Sequence, residues 1–257
     1  MIKLSPLFSG SRGNCALVQA DGTNILLDAG YHYKQIISRL AEFNITSADI
    51  DAIVLTHEHS DHISALPYLT RGLGAKVYAP EAICGIVAQR TYCSEVSAVK
   101  GSFNVGNVLI DLYQCSHDSV DCVGYKFTFN GESVASVTDT GKADETLTEF
   151  LAPCKGIMLE SNHDVDMLQN GVYPYQLKRR ILSDFGHLSN DQAAQVIATL
   201  KGSSVKQIAL AHLSEQNNTK EIAFNAAVRA LHSVGLEEGR DVKIYVADQY
   251  ANRITLC

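Results

Sequence analysis

The sequence of 257 residues predicts an α/β fold, and two features carry that prediction. Short apolar runs typical of buried strands alternate with segments of helical periodicity in both halves of the chain. Between the halves, residues 102–139 are rich in strands, including a hairpin marked by Asn130-Gly131. Because no Pro/Gly-rich linker, charge run or low-complexity tract marks a boundary, we expect residues 1–257 to form a single domain.

The elements of the first half follow from periodicity and turn residues. Asp21-Gly22 is a hairpin signal between two strands, and Ile36, Leu40 and Phe43 indicate one face of a helix. The predicted strands are residues 2–8, 15–19, 24–28, 51–55 and 76–79, and the predicted helices are residues 33–43, a helix starting near His62 and a helix opening at Pro80-Glu81.

The second half continues the alternation after the strand-rich centre. Ser189-Asn190-Asp191 is a good N-terminal cap for a helix that runs to about Leu200. The predicted strands are residues 108–114, 123–129, 133–138, 156–160, 205–211, 242–246 and 253–256, and the other predicted helices are residues 144–151, 176–182 and 219–234.

A loop with three histidines and an aspartate follows the strand at residues 51–55. It contains His57, His59, Asp61 and His62. Loops at the carboxyl ends of strands are the usual place for a site in an α/β sheet. Imidazole nitrogens and carboxylate oxygens suit Zn²⁺, Mn²⁺ or Fe. A polar loop of solvated histidines is the alternative, and the density of ligating side chains favours a metal site.

The spacing H-x-H-x-D-H of these four residues resembles the signature of the metallo-β-lactamase superfamily. This resemblance implies a four-layer αββα sandwich and a site for two divalent metal ions, with zinc or manganese expected and iron as a further candidate. Two cations about 3.5–4 Å apart can generate hydroxide at neutral pH and clamp the oxygens of an in-line displacement. The resemblance therefore implies a metal-dependent hydrolase.

The remaining ligands that the resemblance implies match residues at predicted strand ends. His117 follows the strand at residues 108–114, Asp139 the strand at 133–138, and His212 the strand at 205–211. Asp139 and a hydroxide would bridge the two ions, and Asp61 is also expected to act in catalysis. The implied ligands are His57, His59 and His117 for one ion and Asp61, His62 and His212 for the other.

Three further positions are candidates for supporting roles. Asp28 ends a strand and matches a family residue that orients a metal-binding histidine. His187 precedes a helix N-terminus, which favours a phosphate neighbour, so it could protonate a leaving oxygen. His163 follows the strand at residues 156–160 and is a candidate for substrate binding. For both histidines the alternative is a loop side chain with local hydrogen bonds.

A turn at residues 9–14, with the sequence SGSRGN, separates the first two strands. Its small residues and glycines allow backbone N–H groups to face an anion, and a plain β-turn is the alternative. We expect Ser9, Ser11 and Asn14 to contact substrate.

Composition limits the class of protein. The net charge of -7 disfavours a broad basic face for nucleic acid, although two bound dications would change the local field of a nuclease. Seven cysteines without a C-x-x-C pair fit reduced thiols. Because the sequence has neither an 18-residue apolar run nor a signal-peptide pattern, we expect a cytoplasmic protein with no membrane partner.

Four segments narrow the resemblance to the bacterial YycJ/WalJ group over nearly the whole chain. This resemblance implies a DNA exonuclease that acts from 5′ ends, with a role in DNA repair. A thioester or small-ester hydrolase of the glyoxalase II type shares the ligand set and is the alternative. Lactam hydrolysis is disfavoured because many β-lactamases of this fold carry Cys in place of Asp139. The segments are SGSRGN at residues 9–14, ESNHD at 160–164, GHLSN at 186–190 and HLSEQNN at 212–218.

Overall fold

The computed structural model describes residues 1–71, 75–91, 93, 95–250 and 252–257. In this structure two β-sheets pack face to face, and helices cover the outer side of each sheet. This arrangement confirms the α/β class and the four-layer αββα sandwich of the metallo-β-lactamase fold. Among the described residues, no helix is long and apolar enough to span a membrane.

The first sheet is built from the N-terminal part of the chain. Its strands are β1 (Ile2–Phe8), β2 (Cys15–Ala20), β3 (Thr23–Leu27), β4 (Ala52–Val54), β5 (Lys76–Pro80) and β6 (Val96–Val99), and they lie in this order. β1, β2 and β3 pair antiparallel, whereas β3 to β6 pair parallel. The helices of this part are α1 (Tyr33–Ala41), α2 (Ser60–Ile63), α3 (Leu66–Thr70) and α4 (Cys84–Thr91).

The second sheet mirrors the first in its mixture of pairings. Its strands are β7 (Phe103–Val105), β8 (Val108–Gln114), β9 (Val123–Phe129), β10 (Glu132–Val137), β11 (Gly156–Glu160), β12 (Gln207–Ala211) and β13 (Lys243–Val246). β7 to β10 pair antiparallel, and β10 to β13 pair parallel. The helices of this part are α5 (Glu145–Leu151), α6 (Val165–Asn170), α7 (Tyr175–Ile181), α8 (Asn190–Thr199) and α9 (Lys220–Ser233).

Two of the largest buried side chains lie between the two sheets. Tyr125 and Phe127 on β9 are fully buried there, together with aliphatic residues of β1, β2 and β3. The hydroxyl of Tyr125 donates to the carbonyl oxygen of Leu55, 2.9 Å away, just before the histidine loop. The second sheet therefore fixes the loop that the first sheet carries.

Most predicted elements are confirmed, and the differences have physical reasons. The predicted strand at residues 253–256 is wrong, because only Leu256 pairs, in a single bridge to Leu4 on β1. Ile254 and Leu256 are buried and Arg253 is exposed, so the alternating pattern reflects burial without a strand ladder. The helix predicted from His62 is divided into α2 and α3, since Pro67 starts the second helix. The sequence prediction missed β6 and α6.

Candidate metal centre

The carboxyl ends of strands from both sheets meet at one edge of the sandwich. The histidine loop follows β4 of the first sheet, and Asp139, Glu160 and His212 follow or end β10, β11 and β12 of the second. Because these three strands are parallel neighbours, their carboxyl ends lie side by side. His117 reaches the same edge from the end of β8. Chain topology thus brings together residues that are far apart in sequence.

The potential ligand atoms form two overlapping clusters. The side chains of His57, His59 and His117 place one nitrogen each within 4.8 Å of one another, as do the ligand atoms of Asp61, His62 and His212. Asp139 lies between the clusters, with Oδ2 3.4 Å from His62 Nε2 in one and Oδ1 4.0 Å from His117 Nε2 in the other. The two clusters are the two ligand sets expected from the sequence.

Three atoms of these clusters are buried without a hydrogen-bond partner in the described part of the chain. They are His57 Nε2, His212 Nε2 and Asp139 Oδ2. Buried polar atoms in native proteins are nearly always satisfied, so an unpartnered group requires an explanation. Imidazole nitrogens and carboxylate oxygens are the ligands of divalent transition metals. The residues therefore fit a site for divalent metal ions.

Three residues of the site adopt left-handed backbone conformations. Asp28, Asp139 and His212 have φ values of 60°, 59° and 57°. Such values are uncommon for residues other than glycine and cost free energy, on the order of 1–3 kcal/mol each, that the surrounding fold must offset. Asp28 and His212 follow the end of a strand directly and Asp139 follows one after a single residue, so the conformation turns each side chain away from the strand and into the site.

A hydrogen-bond network below the histidine loop fixes two of its rings. Asp28 accepts from His62 Nδ1 at 2.8 Å and from the Thr56 backbone N–H at 2.8 Å. Thr56 Oγ1 lies 3.0 Å from His57 Nδ1 and donates to the Asp28 carboxylate. With its Nδ1 engaged, His57 has Nε2 left for a metal, whereas Nε2 of His62 faces the site and lies 3.0 Å from the side-chain amide nitrogen of Asn14.

Glu160 has the same function in the second half of the site, and the sequence prediction missed it. Its Oε1 lies 2.8 Å from His212 Nδ1 and 2.9 Å from His187 Nδ1. Its Oε2 accepts from the backbone N–H groups of Leu188 at 3.0 Å and Thr140 at 3.1 Å. The signal that could have identified it is a carboxylate at the end of a buried strand, in the position that Asp139 holds relative to β10.

The carboxylates of the centre favour positive charge there. Burial lowers the pKa of His57 and His117, which keeps these imidazoles neutral, the form that binds metal. Burial also opposes the charged form of His62 and His212, but nearby carboxylates, among them Asp139, raise their pKa values to about 10 and about 9. A cation is therefore electrostatically favoured at the position of Asp139.

The cavity beside this centre has a volume of about 260 Å³. Ser11 and His187 line it, as expected for residues that contact substrate. Ser9 and Asn14 are buried: Ser9 Oγ accepts from the His212 backbone N–H at 2.8 Å, and Asn14 Oδ1 accepts from the Gly10 N–H at 2.9 Å. They shape the site from behind the turn, and of the three only Ser11 faces the cavity.

Two other expectations have different outcomes in the structure. His163 is 1% exposed and does not belong to the residues that line the cavity. The first backbone N–H groups of α8 are used within the fold, since the Asn190 N–H donates to the His163 carbonyl and the Gln192 N–H to Ser189 Oγ. His187 thus faces the cavity without a free α8 N-terminus beside it.

Known proteins similar to this chain identify its family. The beta-lactamase superfamily domain matches residues 23–212. Exodeoxyribonuclease WalJ of Streptococcus pneumoniae is 38% identical over 95% of this chain and 93% of its own length. Exodeoxyribonuclease YycJ of Bacillus anthracis is 36% identical over 96% of each chain. The metallo-β-lactamase fold protein YhfI of Bacillus subtilis superposes with a TM-score of 0.74 over 100% of both chains, at 16% identity, a likeness of fold.

Proposed function

Since the chain belongs to the metallo-β-lactamase superfamily, in the group of the YycJ and WalJ exodeoxyribonucleases, we propose that this metal-dependent hydrolase is a DNA exonuclease acting from 5′ ends. The similarity to two exodeoxyribonucleases over nearly the whole chain supports the substrate class. The convergence of buried, unpartnered ligand atoms beside an open cavity supports the chemistry.

We propose two divalent ions, zinc or manganese with iron as a further candidate, held by the six residues of the two clusters and by Asp139. His57, His59 and His117 would hold one ion. Bound cations would supply a nucleophile from water at neutral pH and neutralise charge on the phosphate. Asp139 would be shared between the ions, and Asp61, His62 and His212 would hold the other. Asp61 would also act in catalysis, since its side chain is 27% exposed at the cavity.

His187 is the proposed proton donor to the leaving oxygen. Its Nδ1 is engaged by Glu160 Oε1 at 2.9 Å, so Nε2 is the nitrogen available to substrate in the cavity. A carboxylate hydrogen-bonded to one nitrogen stabilises the charged imidazolium, which is the form that can donate a proton from the other. Glu160 is therefore a positioning residue for His187.

Ser11 and Arg180 are the proposed contacts to the phosphates of the bound end. Both line the cavity, and Ser11 is exposed at the tip of the turn that Ser9 and Asn14 shape. Few other basic residues are needed, because the metal centre itself would attract the polyanion despite the net charge of -7. We expect affinity to fall less steeply with salt than for a protein that makes many phosphate contacts along a duplex.

The cellular setting is also part of the proposal. All seven cysteines are free thiols, which supports a reducing compartment such as the cytoplasm. A role in DNA repair would follow from a nuclease that degrades DNA from an end. The glyoxalase II type of hydrolysis remains as an outcome of the test below.

The test compares DNA with and without ends. The purified protein, supplied with Zn²⁺ or Mn²⁺, should degrade linear 5′-phosphorylated DNA and leave covalently closed circles intact. 5′-Hydroxyl and 3′-labelled strands establish the polarity, and matched RNA establishes the sugar preference. Rapid cleavage of closed circles would contradict the end-dependent model. Hydrolysis of a glutathione thioester without activity on any nucleic acid would replace the exonuclease with the thioesterase.

A further inference from the structure

One wall of the cavity is apolar, whereas the opposite side carries the metal-binding side chains. Tyr173, Leu177 and Ile181 form this wall, and Arg180 borders it. Residues 177, 180 and 181 lie on one face of α7, and Tyr173 precedes the helix by two residues. A ligand that fills the cavity must therefore be charged at one end and flat or apolar at the other.

The wall is held rigidly against the metal centre. Pro174, with φ of -58°, starts α7 directly after Tyr173. Lys178 Nζ donates to the carbonyl oxygens of Gln169 at 2.8 Å and Gly171 at 2.7 Å, which fastens the turn before Tyr173 to the helix. Arg180 pairs with Asp118, the residue after His117. The backbone position of Tyr173 is thus fixed before substrate binds.

The charge of this segment matches a polyanion. Residues 167–183 contain Lys178, Arg179 and Arg180 and no carboxylate, in a chain whose net charge is -7. Of these three residues, Arg180 lies at the cavity next to the apolar wall, and proteins that bind single strands combine basic and aromatic side chains in this way.

We infer that the wall receives the base of the terminal nucleotide, with Tyr173 as its stacking partner, so that the substrate is a DNA end with an unpaired terminal base. This inference rests on the proposed exonuclease function. The cavity of about 260 Å³ lies below the range of about 300–1,000 Å³ for pockets that bind drug-sized ligands, so we expect only the terminal nucleotide to enter it. A paired end would have to unstack and unpair its last base before cleavage.

The test removes the ring and the base, separately and together. Tyr173→Ala should lower kcat/KM on single-stranded DNA by about 5- to 100-fold, mainly through KM, because stacking on an aromatic ring contributes this much. Tyr173→Phe keeps the ring and should match the parent protein. Tyr175→Ala is the matched control, since Tyr175 is 74% exposed on the side of α7 away from the cavity.

A DNA strand with an abasic 5′-terminal residue removes the base, so that the loss of the ring and the loss of the base can be compared in a double-mutant cycle. The kcat/KM of the parent protein should fall as much on the abasic strand as the kcat/KM of Tyr173→Ala falls on the normal strand. The kcat/KM of Tyr173→Ala should be nearly the same on the two strands. Binding of a phosphorothioate-ended strand to the metal-loaded proteins, followed by fluorescence anisotropy, should show the same pattern. A fully paired blunt end should be degraded several-fold more slowly than a single strand.

Two results would overturn the inference while leaving the exonuclease intact. One is an equal loss in Tyr173→Ala on normal and abasic strands, which would assign Tyr173 a structural role. The other is a loss in Tyr175→Ala as large as that in Tyr173→Ala, which would move base contacts to the outer surface. If the parent protein degrades no DNA at all, the proposed function itself fails.

Discussion

The two sheets contribute to the metal centre in different ways. The first sheet supplies four proposed ligands from one short loop, in which Asp28 fixes His62 and Thr56 contacts His57. The second sheet supplies the proposed ligand His117 after β8, and Asp139 and His212 from strand ends that are brought together only because β10, β11 and β12 pair in parallel. A short motif can specify half of such a site, whereas the other half depends on the whole fold.

Each half contains one buried carboxylate that hydrogen-bonds its histidines, and the two carboxylates differ in the number of histidine rings that they bond. Asp28 bonds one histidine ring, His62, along with groups of Thr56. Glu160 bonds two rings, His187 and His212. The half that is dispersed in sequence thus relies on a single residue to align both a metal ligand and the proposed proton donor.

The largest effect is expected where the halves meet, at Asp139. Asp139→Ala should bind at most one of two ions and lose at least about 10⁴-fold in turnover, because a shared ligand and its charge are removed together. Metal analysis and a phosphodiesterase assay measure both quantities. Asp191→Ala, which removes an exposed carboxylate on α8, is the control and should keep full occupancy. Full occupancy in Asp139→Ala would show that Asp139 does not bridge the halves.

His187→Ala separates chemistry from metal binding within the second half. We expect both ions to remain and turnover to fall by about 10²–10⁴-fold, the usual contribution of a general acid. His232→Ala, a substitution at an exposed position of α9, should leave turnover unchanged. If His187→Ala keeps full turnover with both ions bound, His187 has no part in the mechanism.

The buried carboxylates provide a direct comparison of the halves. Asp28→Asn and Glu160→Gln keep the shape of each side chain and replace one oxygen with an amide NH₂. In Asp28→Asn, the remaining oxygen can still accept from the Thr56 N–H and from Thr56 Oγ1, and the bond to His62 is lost. In Glu160→Gln, the NH₂ group faces two hydrogen-bond donors in either orientation of the amide. At the position of Oε1 it faces the two histidine rings, and at the position of Oε2 it faces two backbone N–H groups.

We therefore expect metal affinity to fall about 10-fold in Asp28→Asn and about 100-fold in Glu160→Gln, within the usual range for residues that support metal ligands. Titration with Zn²⁺ against a competing chelator measures both values. Turnover at saturating metal should fall further in Glu160→Gln, since His187 loses its partner. Equal losses of metal affinity and turnover in the two variants would mean that the bond from Glu160 to the His187 ring contributes to neither.

The same contrast explains which parts of the structure could be predicted. The histidine loop, the hairpins and most strands are encoded by local spacing and turn residues, so they were predicted with small shifts at the ends. His117 and His212 could be proposed as ligands only by family resemblance, because a single histidine after a strand does not by itself indicate metal binding. Glu160 was missed for that reason: its importance comes from β11 lying between β10 and β12.

The wrong strand at residues 253–256 and the prediction for His163, which stays a prediction, have a similar origin. The alternating pattern at residues 253–256 is real, but it records contact with the core, and only pairing partners elsewhere in the chain decide whether a strand forms. His163 was expected to contact substrate because it follows a strand, as the metal ligands do. Its side chain is buried, and local sequence does not state in which direction a loop residue turns.

The smallest effect is expected at His163, which is buried in the second half of the site and does not line the cavity. Burial lowers the pKa of His163 to about 4, from an ordinary value of 6.5. The unfolded chain therefore takes up a proton between these values that the folded chain does not. Stability is fully present above about pH 6.5 and falls with decreasing pH, by about 3 kcal/mol on reaching pH 4.

His163→Leu should remove this slope, because a leucine of similar size has no proton to bind in either state. Chemical denaturation of both chains at several pH values between 7 and 4.5 measures the difference, and the shared metal-binding histidines cancel in it. His232→Leu, at an exposed position, should keep the slope of the parent chain. If the free energy of unfolding has the same pH dependence in the parent and in His163→Leu, His163 is in contact with solvent. If the variant has a raised KM for DNA, His163 is a substrate-binding residue.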